Sequence, residues 1–156
     1  MDHLSPQSHC VSVLCSVPAQ QALDFLADGL ELGRWALGCW DTVPVGAGVV
    51  RGRSLFDGQE SYVRPVADRE HLSVTYYVGG SPDALRARIQ AVVEPVEGSG
   101  SSPPACRIVL RAQRGPDMDE ARWLRLVRCH EVEVLLIQSR LALQATQTFS
   151  EPPPEK

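Results

Sequence analysis

The stretch "MDEARWLRLVRCHEVEVLLIQSRLAL" constrains this chain most. It runs from Met118 to Leu143 without a Gly or Pro. Within it Trp123, Val127, His130, Val134, Ile137 and Leu141 recur at alternating spacings of four and three, which is one continuous helical stripe. Asp117 and Asp119 put a cap and negative charge at its start. A helix from Asp119 to about Gln147 is roughly 40 Å long at ~1.5 Å per residue. A helix of that length with one apolar stripe needs a broad partner surface.

The partner surface precedes it. "CWDTVPVG", "GVVRGRSLFDG", "SYVRPVADRE", "HLSVTYYVGG", "LRARIQAVVEPVEG" and "CRIVLRAQRG" are six short β-type runs bounded by Gly, Pro, Asp or Ser. Asp57-Gly58 signals a hairpin, residues 67–70 form a polar turn, and "GSGSSPP" from Gly98 to Pro104 is a loop. No helix-length segment separates the runs, so the sheet is expected to be antiparallel. Leu72, Val74, Tyr76 and Val78 alternate with Ser73, Thr75 and Tyr77; Ala87, Ile89, Ala91 and Val93 alternate with Arg86, Arg88 and Gln90; Ile108, Leu110 and Ala112 alternate with Arg107, Arg111 and Gln113. Such a sheet has one apolar face to cover, and the long helix is the expected cover, with Leu135 and Leu136 turned towards the short helices. Upstream, "HCVSVLCSV" places Val11, Val13, Cys15 and Val17 on one face of a first strand. Pro18 then opens a short helix that Gly29 is expected to stop, and "LELGRWALGCW" supplies a second helical turn.

The chain of 156 residues is sized for a single domain, expected over 8–147 with flexible termini at 1–7 and 148–156. The formal charge of −4 and the scattered arginines give no basic face for nucleic acid. No apolar run reaches a membrane span, and "MDHLSPQSHC" lacks the layout of a signal peptide, so a cytoplasmic location is expected. Cys10, Cys15, Cys39, Cys106 and Cys129 show no C-x-x-C spacing, which fits reduced thiols and calls for neither zinc nor another cofactor.

The reactive side chains lie inside "CHEVE". His130 is on the core stripe, and Glu133, three residues on, flanks it and can touch it. Cys129 and Glu131 fall at opposite borders, while Arg125 and Arg128 point to water. A zincin helix needs a second histidine where Val134 stands. A Cys–His nucleophile pair fails because adjacent helical residues diverge by about 100°. His130 is then either a core histidine bonded to Glu133 or a tyrosine, or a polar group lining a cavity. Two polar groups on a core stripe need a polar or wet environment.

The order of strand, two short helices, six antiparallel strands and long helix resembles the helix-grip fold of the START/Bet v 1-like (SRPBCC) superfamily. "VPAQQALDFLADGLELGRWALGCW" resembles the family's opening, "GRSLFDGQESYVRP" its meander, and "DMDEARWLRLVRCHEVEVLLIQSRLAL" its closing helix. Within that superfamily the chain resembles polyketide cyclase/dehydrase-like proteins. The resemblance implies an α+β fold, with a curved antiparallel sheet of about seven strands wrapped on the C-terminal helix. It also implies an apolar cavity between them for a hydrophobic or aromatic small molecule. The candidates for its lining are Trp35, Trp40, Arg53, Tyr62, Tyr76, Trp123, Val127, His130, Glu133 and Val134. Gly52 is expected to mark a bulge, and an inward Arg53 would meet Glu133 or a ligand carboxylate.

Three functions fit this frame. The first is a binding module. The second is a cyclase/aromatase-type enzyme with His130 and Glu133 as acid–base groups and Tyr62 or Arg53 steadying an enolate. The third is a structural domain whose cavity is filled by Trp35, Trp40 and Trp123. The oligomeric state is open, a homodimer included.

Overall fold

The computed structural model describes residues 8–97 and 103–150, with side chains to residue 146. Of the termini expected to be flexible, at 1–7 and 148–156, residues 1–7 and 151–156 lie outside the described residues, as does most of the 98–104 loop, while residues 148–150 continue the C-terminal helix. In chain order the elements are β1 (Ser8–Cys15), α1 (Ala19–Ala27), α2 (Gly29–Leu32), β2 (Trp40–Gly46), β3 (Val49–Arg53), β4 (Glu60–Asp68), β5 (Ser73–Gly79), β6 (Arg86–Val96), β7 (Ala105–Gln113) and α3 (Glu120–Ser150). The seven strands form one sheet in the order β1-β7-β6-β5-β4-β3-β2, with every neighbouring pair antiparallel. This is the helix-grip arrangement: a curved sheet, short helices after the first strand, and one long closing helix.

Local chemistry sets the element ends. Pro18 is the N-cap of α1, one position ahead of the helix. Gly29 does not stop α1; it opens α2. Asp28 breaks the chain between them and caps α2, its carboxylate accepting from the amides of Leu30 and Glu31. A Cβ at Gly29 would stand 2.6 Å from Val50 Cγ1, so its lack of a side chain lets α2 lie on β3. Gly58 has a positive φ of 72°, and Asp57 Oδ1 accepts from the Gln59 amide, as the Asp-Gly turn requires.

The cover of the sheet is divided, contrary to the expectation that the long helix supplies it. α3 packs on β1 and β7, while α1 lies against β4, β5, β6 and β7. Ala22, Leu23, Phe25 and Leu26 of α1 join Cys106, Ile108, Leu110, Val74, Ala91 and Val93 of the sheet in the main core. The short helix lies over the concave face, so its apolar side takes area that α3 does not reach. Leu136 packs against that core, but Leu135 points outward with 55% of its surface exposed.

Gly52 is in regular register with Ser61 of β4, but on its other side the pairing is irregular: Arg53 faces Trp40 and Arg51 faces Val43, so β2 carries an extra residue opposite Gly52, and a second shift lies between Pro44 and Gly46. In β6 a register shift sets Ile89 opposite Tyr76 but Ala87 opposite Tyr77, which takes Ala87 out of phase with Ile89.

Candidate functional site

The geometry of the site begins at the cap of α3. Asp119 Oδ1 accepts from the Arg122 amide at 2.8 Å and starts the helix in the phase that turns His130 and Glu133 inward. His130 retains 3% of its accessible surface and Glu133 5%. Glu133 Oε2 accepts a 2.8 Å hydrogen bond from the Leu37 amide, which ties the segment between α2 and β2 to the helix. Its other oxygen stands 3.8 Å from His130 Nε2. That separation is too long for a hydrogen bond.

Nor is the pair ionic near neutral pH. Burial, and then the charge of His9, lower the His130 imidazole from 6.5 to about 4. Burial pushes the Glu133 carboxyl up from 4.5 to about 7, against the opposing hydrogen bond from Leu37. Both groups are driven towards their neutral forms because their charged forms would be desolvated. The neighbouring Cys129 thiol rises to about 11 through burial and then the Glu133 charge, so it is no nucleophile.

Further groups surround the pair. His9 on β1 brings its ring centroid to 6.3 Å from that of His130. Tyr76 on β5 donates from its hydroxyl to the Leu26 carbonyl at 2.6 Å. Burial, and then Glu133, hold its phenol well above the ordinary range. The ring of Trp35 stands edge-on to Tyr76, with centroids 5.8 Å apart. Among the described residues, three buried ring nitrogens have no hydrogen-bond partner: His9 Nε2, Trp35 Nε1 and His130 Nδ1.

The expected lining residues divide into three groups. Trp35, Tyr76, His130, Glu133 and Val134 are all buried, and Trp35, Tyr76 and Val134 belong to the main core. Trp123 is buried in a second cluster with Ala112 and Met118, against which Val127 packs. Trp40, Arg53 and Tyr62 lie apart from both. Arg53 is exposed and faces Trp40 and Glu60 across the strands, because Gly52 takes the inward position against Cys39. Glu133 therefore has a backbone amide for a partner where Arg53 was expected. The Tyr62 hydroxyl donates to Glu60 Oε2 at 3.2 Å. The three tryptophans do not stack together: Trp35 and Trp123 belong to different clusters, and Trp40 to neither.

Sequence reasoning missed His9 and the Leu37 amide. His9 was within reach, since it is in phase with Val11, Val13 and Cys15 on the inner face of β1. The Leu37 contact spans 96 positions of sequence and carries no local signal. All five cysteines are free thiols. Among the described residues, no group of three or more His, Cys, Asp or Glu side chains converges as a metal site. No helix among them is long and apolar enough to cross a membrane.

The architecture and this buried cluster define the class: a helix-grip domain with a polar pair under its long helix. Neither a protein-family model nor a curated protein matches the chain by sequence. Solved structures do match it in three dimensions. The di-domain ARO/CYC protein BexL has a TM-score of 0.64 at 15% identity, covering 90% of this chain and 48% of its own. The Zhui aromatase/cyclase from a Streptomyces species has a TM-score of 0.60 at 16% identity, covering 88% of this chain and 94% of its own. The Aha1 dimer from Colwellia psychrerythraea has a TM-score of 0.62 at 13% identity, covering 86% and 95%. At these identities the likeness is one of fold: the chain shares the helix-grip fold of these neighbours.

Proposed function

We propose that this chain binds a hydrophobic or aromatic small molecule beneath α3, with the His130–Glu133 region recognising the polar end of the ligand. The observation behind this reading is the set of unpartnered nitrogens on His9, Trp35 and His130, all in buried surroundings. An unsatisfied buried polar group costs about 1–3 kcal/mol. A ligand that supplies the missing donors and acceptors recovers that cost. Its apolar body would meet Tyr76, Val134 and the Trp35 ring. Entry requires these tightly packed side chains to move apart.

The test combines native mass spectrometry of protein purified from cells with a titration of 2-naphthol followed by tryptophan fluorescence. A co-purifying aromatic or lipid-like molecule, or saturable quenching, is expected. His130→Ala should weaken 2-naphthol binding about fivefold, the loss of one polar contact. An apo mass together with linear, unsaturable quenching would overturn the reading.

A second reading is acid–base catalysis of the cyclase/aromatase type, as the names of BexL and Zhui suggest for those proteins. It is favoured by the opposed displacements of His130 to about 4 and Glu133 to about 7. A neutral imidazole next to a carboxyl that still holds its proton offers a base and an acid at one place. Cyclisation of a poly-β-keto thioester, abolished in both His130→Asn and Glu133→Gln, would favour this reading over simple binding.

A further inference from the structure

A cleft of about 530 Å³ lies away from the buried cluster, between β6, β7 and the turn leading into α3. None of the ten expected lining residues borders it. Thr75, Gln90 and Arg111 form a cross-strand row along its floor, alternating with core residues Val74, Ala91 and Leu110. Arg86, Arg88 and Arg114 complete its basic lining, and Asp117 is the one carboxylate among the described residues that line it.

The charges do not balance. Arg88 Nη1 stands 3.8 Å from Asp117 Oδ1. Arg114 Nη1 meets Glu120 Oε2 at 3.1 Å, while its Nε donates to the Met118 carbonyl at 3.0 Å. Arg86 and Arg111 are exposed and, among the described residues, pair with no carboxylate. Two guanidinium charges are left over in a protein whose formal net charge is −4. The Arg88 guanidinium lies close against the turn: a Cβ on Gly115 would stand 2.6 Å from Arg88 Nη1. The register shift in β6 places Arg86 opposite Val78 and leaves Arg88 as the extra residue of the strand, so both arginines reach one side of the cleft.

We infer that this cleft binds a small organic dianion, a phosphate monoester or a dicarboxylate, through Arg86 and Arg111, with Arg88 and Arg114 held in place by Asp117 and Glu120. Two unpaired charges match a dianion and would over-compensate a monocarboxylate. Planar guanidinium groups pair well with both oxyanions. The Gln90 amide and Thr75 hydroxyl offer uncharged hydrogen bonds beside them, and the volume suits a small organic ligand.

The experiment is calorimetric titration of the full chain with phenyl phosphate and, separately, with succinate at low ionic strength. Saturable binding of at least one probe is expected, and the tighter of the two identifies the ligand class. Arg111→Gln and Arg86→Gln should each weaken it about tenfold, and Asp117→Asn should strengthen it. Both arginines are exposed, so circular dichroism should show these variants folded. His130→Asn should leave the affinity unchanged, which separates this site from the one beneath α3. Absence of saturation by either probe up to about 10 mM, or affinity that neither arginine substitution alters, would overturn the inference.

Discussion

Replacing Glu133 with Gln should change how stability depends on pH, because the buried pair is built from two groups displaced in opposite directions. The Glu133 carboxyl moves from 4.5 to about 7 on folding. The folded protein therefore holds this proton over a range in which the unfolded chain has lost it. Its contribution to stability is fully present below pH 4.5 and is lost as the pH rises to about 7. At ~1.4 kcal/mol per pH unit, the loss is roughly 3 kcal/mol. His130 moves from 6.5 to about 4, so its contribution is present above pH 6.5 and is lost, by a similar roughly 3 kcal/mol, as the pH falls to about 4. The two slopes oppose each other wherever their ranges overlap, and removing one group uncovers the other.

Glu133→Gln retains the shape and an oxygen for the Leu37 amide, so the change is one of ionisation. The assay is urea unfolding of the wild type, Glu133→Gln and His130→Asn in steps from pH 4 to about 7.5. Taking wild type minus variant cancels the titration of groups elsewhere. Around the pair, Tyr76 and Cys129 stay protonated throughout this range, and His9 is common to all three proteins. The difference between wild type and Glu133→Gln should fall by roughly 3 kcal/mol between pH 4.5 and 7. The difference between wild type and His130→Asn should rise over pH 4 to 6.5. Differences that stay constant to within about 1 kcal/mol would refute the account of a neutral, desolvated pair.

Tyr76→Phe removes the 2.6 Å hydrogen bond to the Leu26 carbonyl and leaves that acceptor buried without it. A loss of about 1–3 kcal/mol is expected in chemical denaturation, with no new pH dependence near neutrality. With an aromatic disulfide reagent, Cys10 should react at once because it is exposed, whereas Cys15, Cys39 and Cys106 should react only on unfolding. Reductant and chelator should each leave the melting temperature unchanged, since all five thiols are free.

The long helix, its inward stripe and the antiparallel sheet follow from local pattern. Trp123, His130, Val134, Ile137 and Leu141 are buried where their spacing places them, and Arg125 and Arg128 are exposed. Periods of 3.6 and 2 belong to the backbone itself, so the order of residues alone decides which side chains share a face. That order also paired His130 with Glu133, one helical turn apart.

The tertiary structure decided what surrounds the pair. Glu133 bonds the Leu37 amide, His9 faces His130 from the first strand, and Trp35 meets Tyr76 edge-on. Each contact joins segments far apart in the chain, and local periodicity is silent about which distant backbone atom arrives. The divided cover of the sheet by α1 and α3 has the same origin. So does the arginine cleft: in sequence Arg86, Arg88, Arg111 and Arg114 are scattered charges on two strands and a turn, and the pairing of β6 with β7 and the turn at Gly115 gather them around one space. Charge balance at such a place depends on which carboxylates come within reach, and only the folded chain fixes those distances.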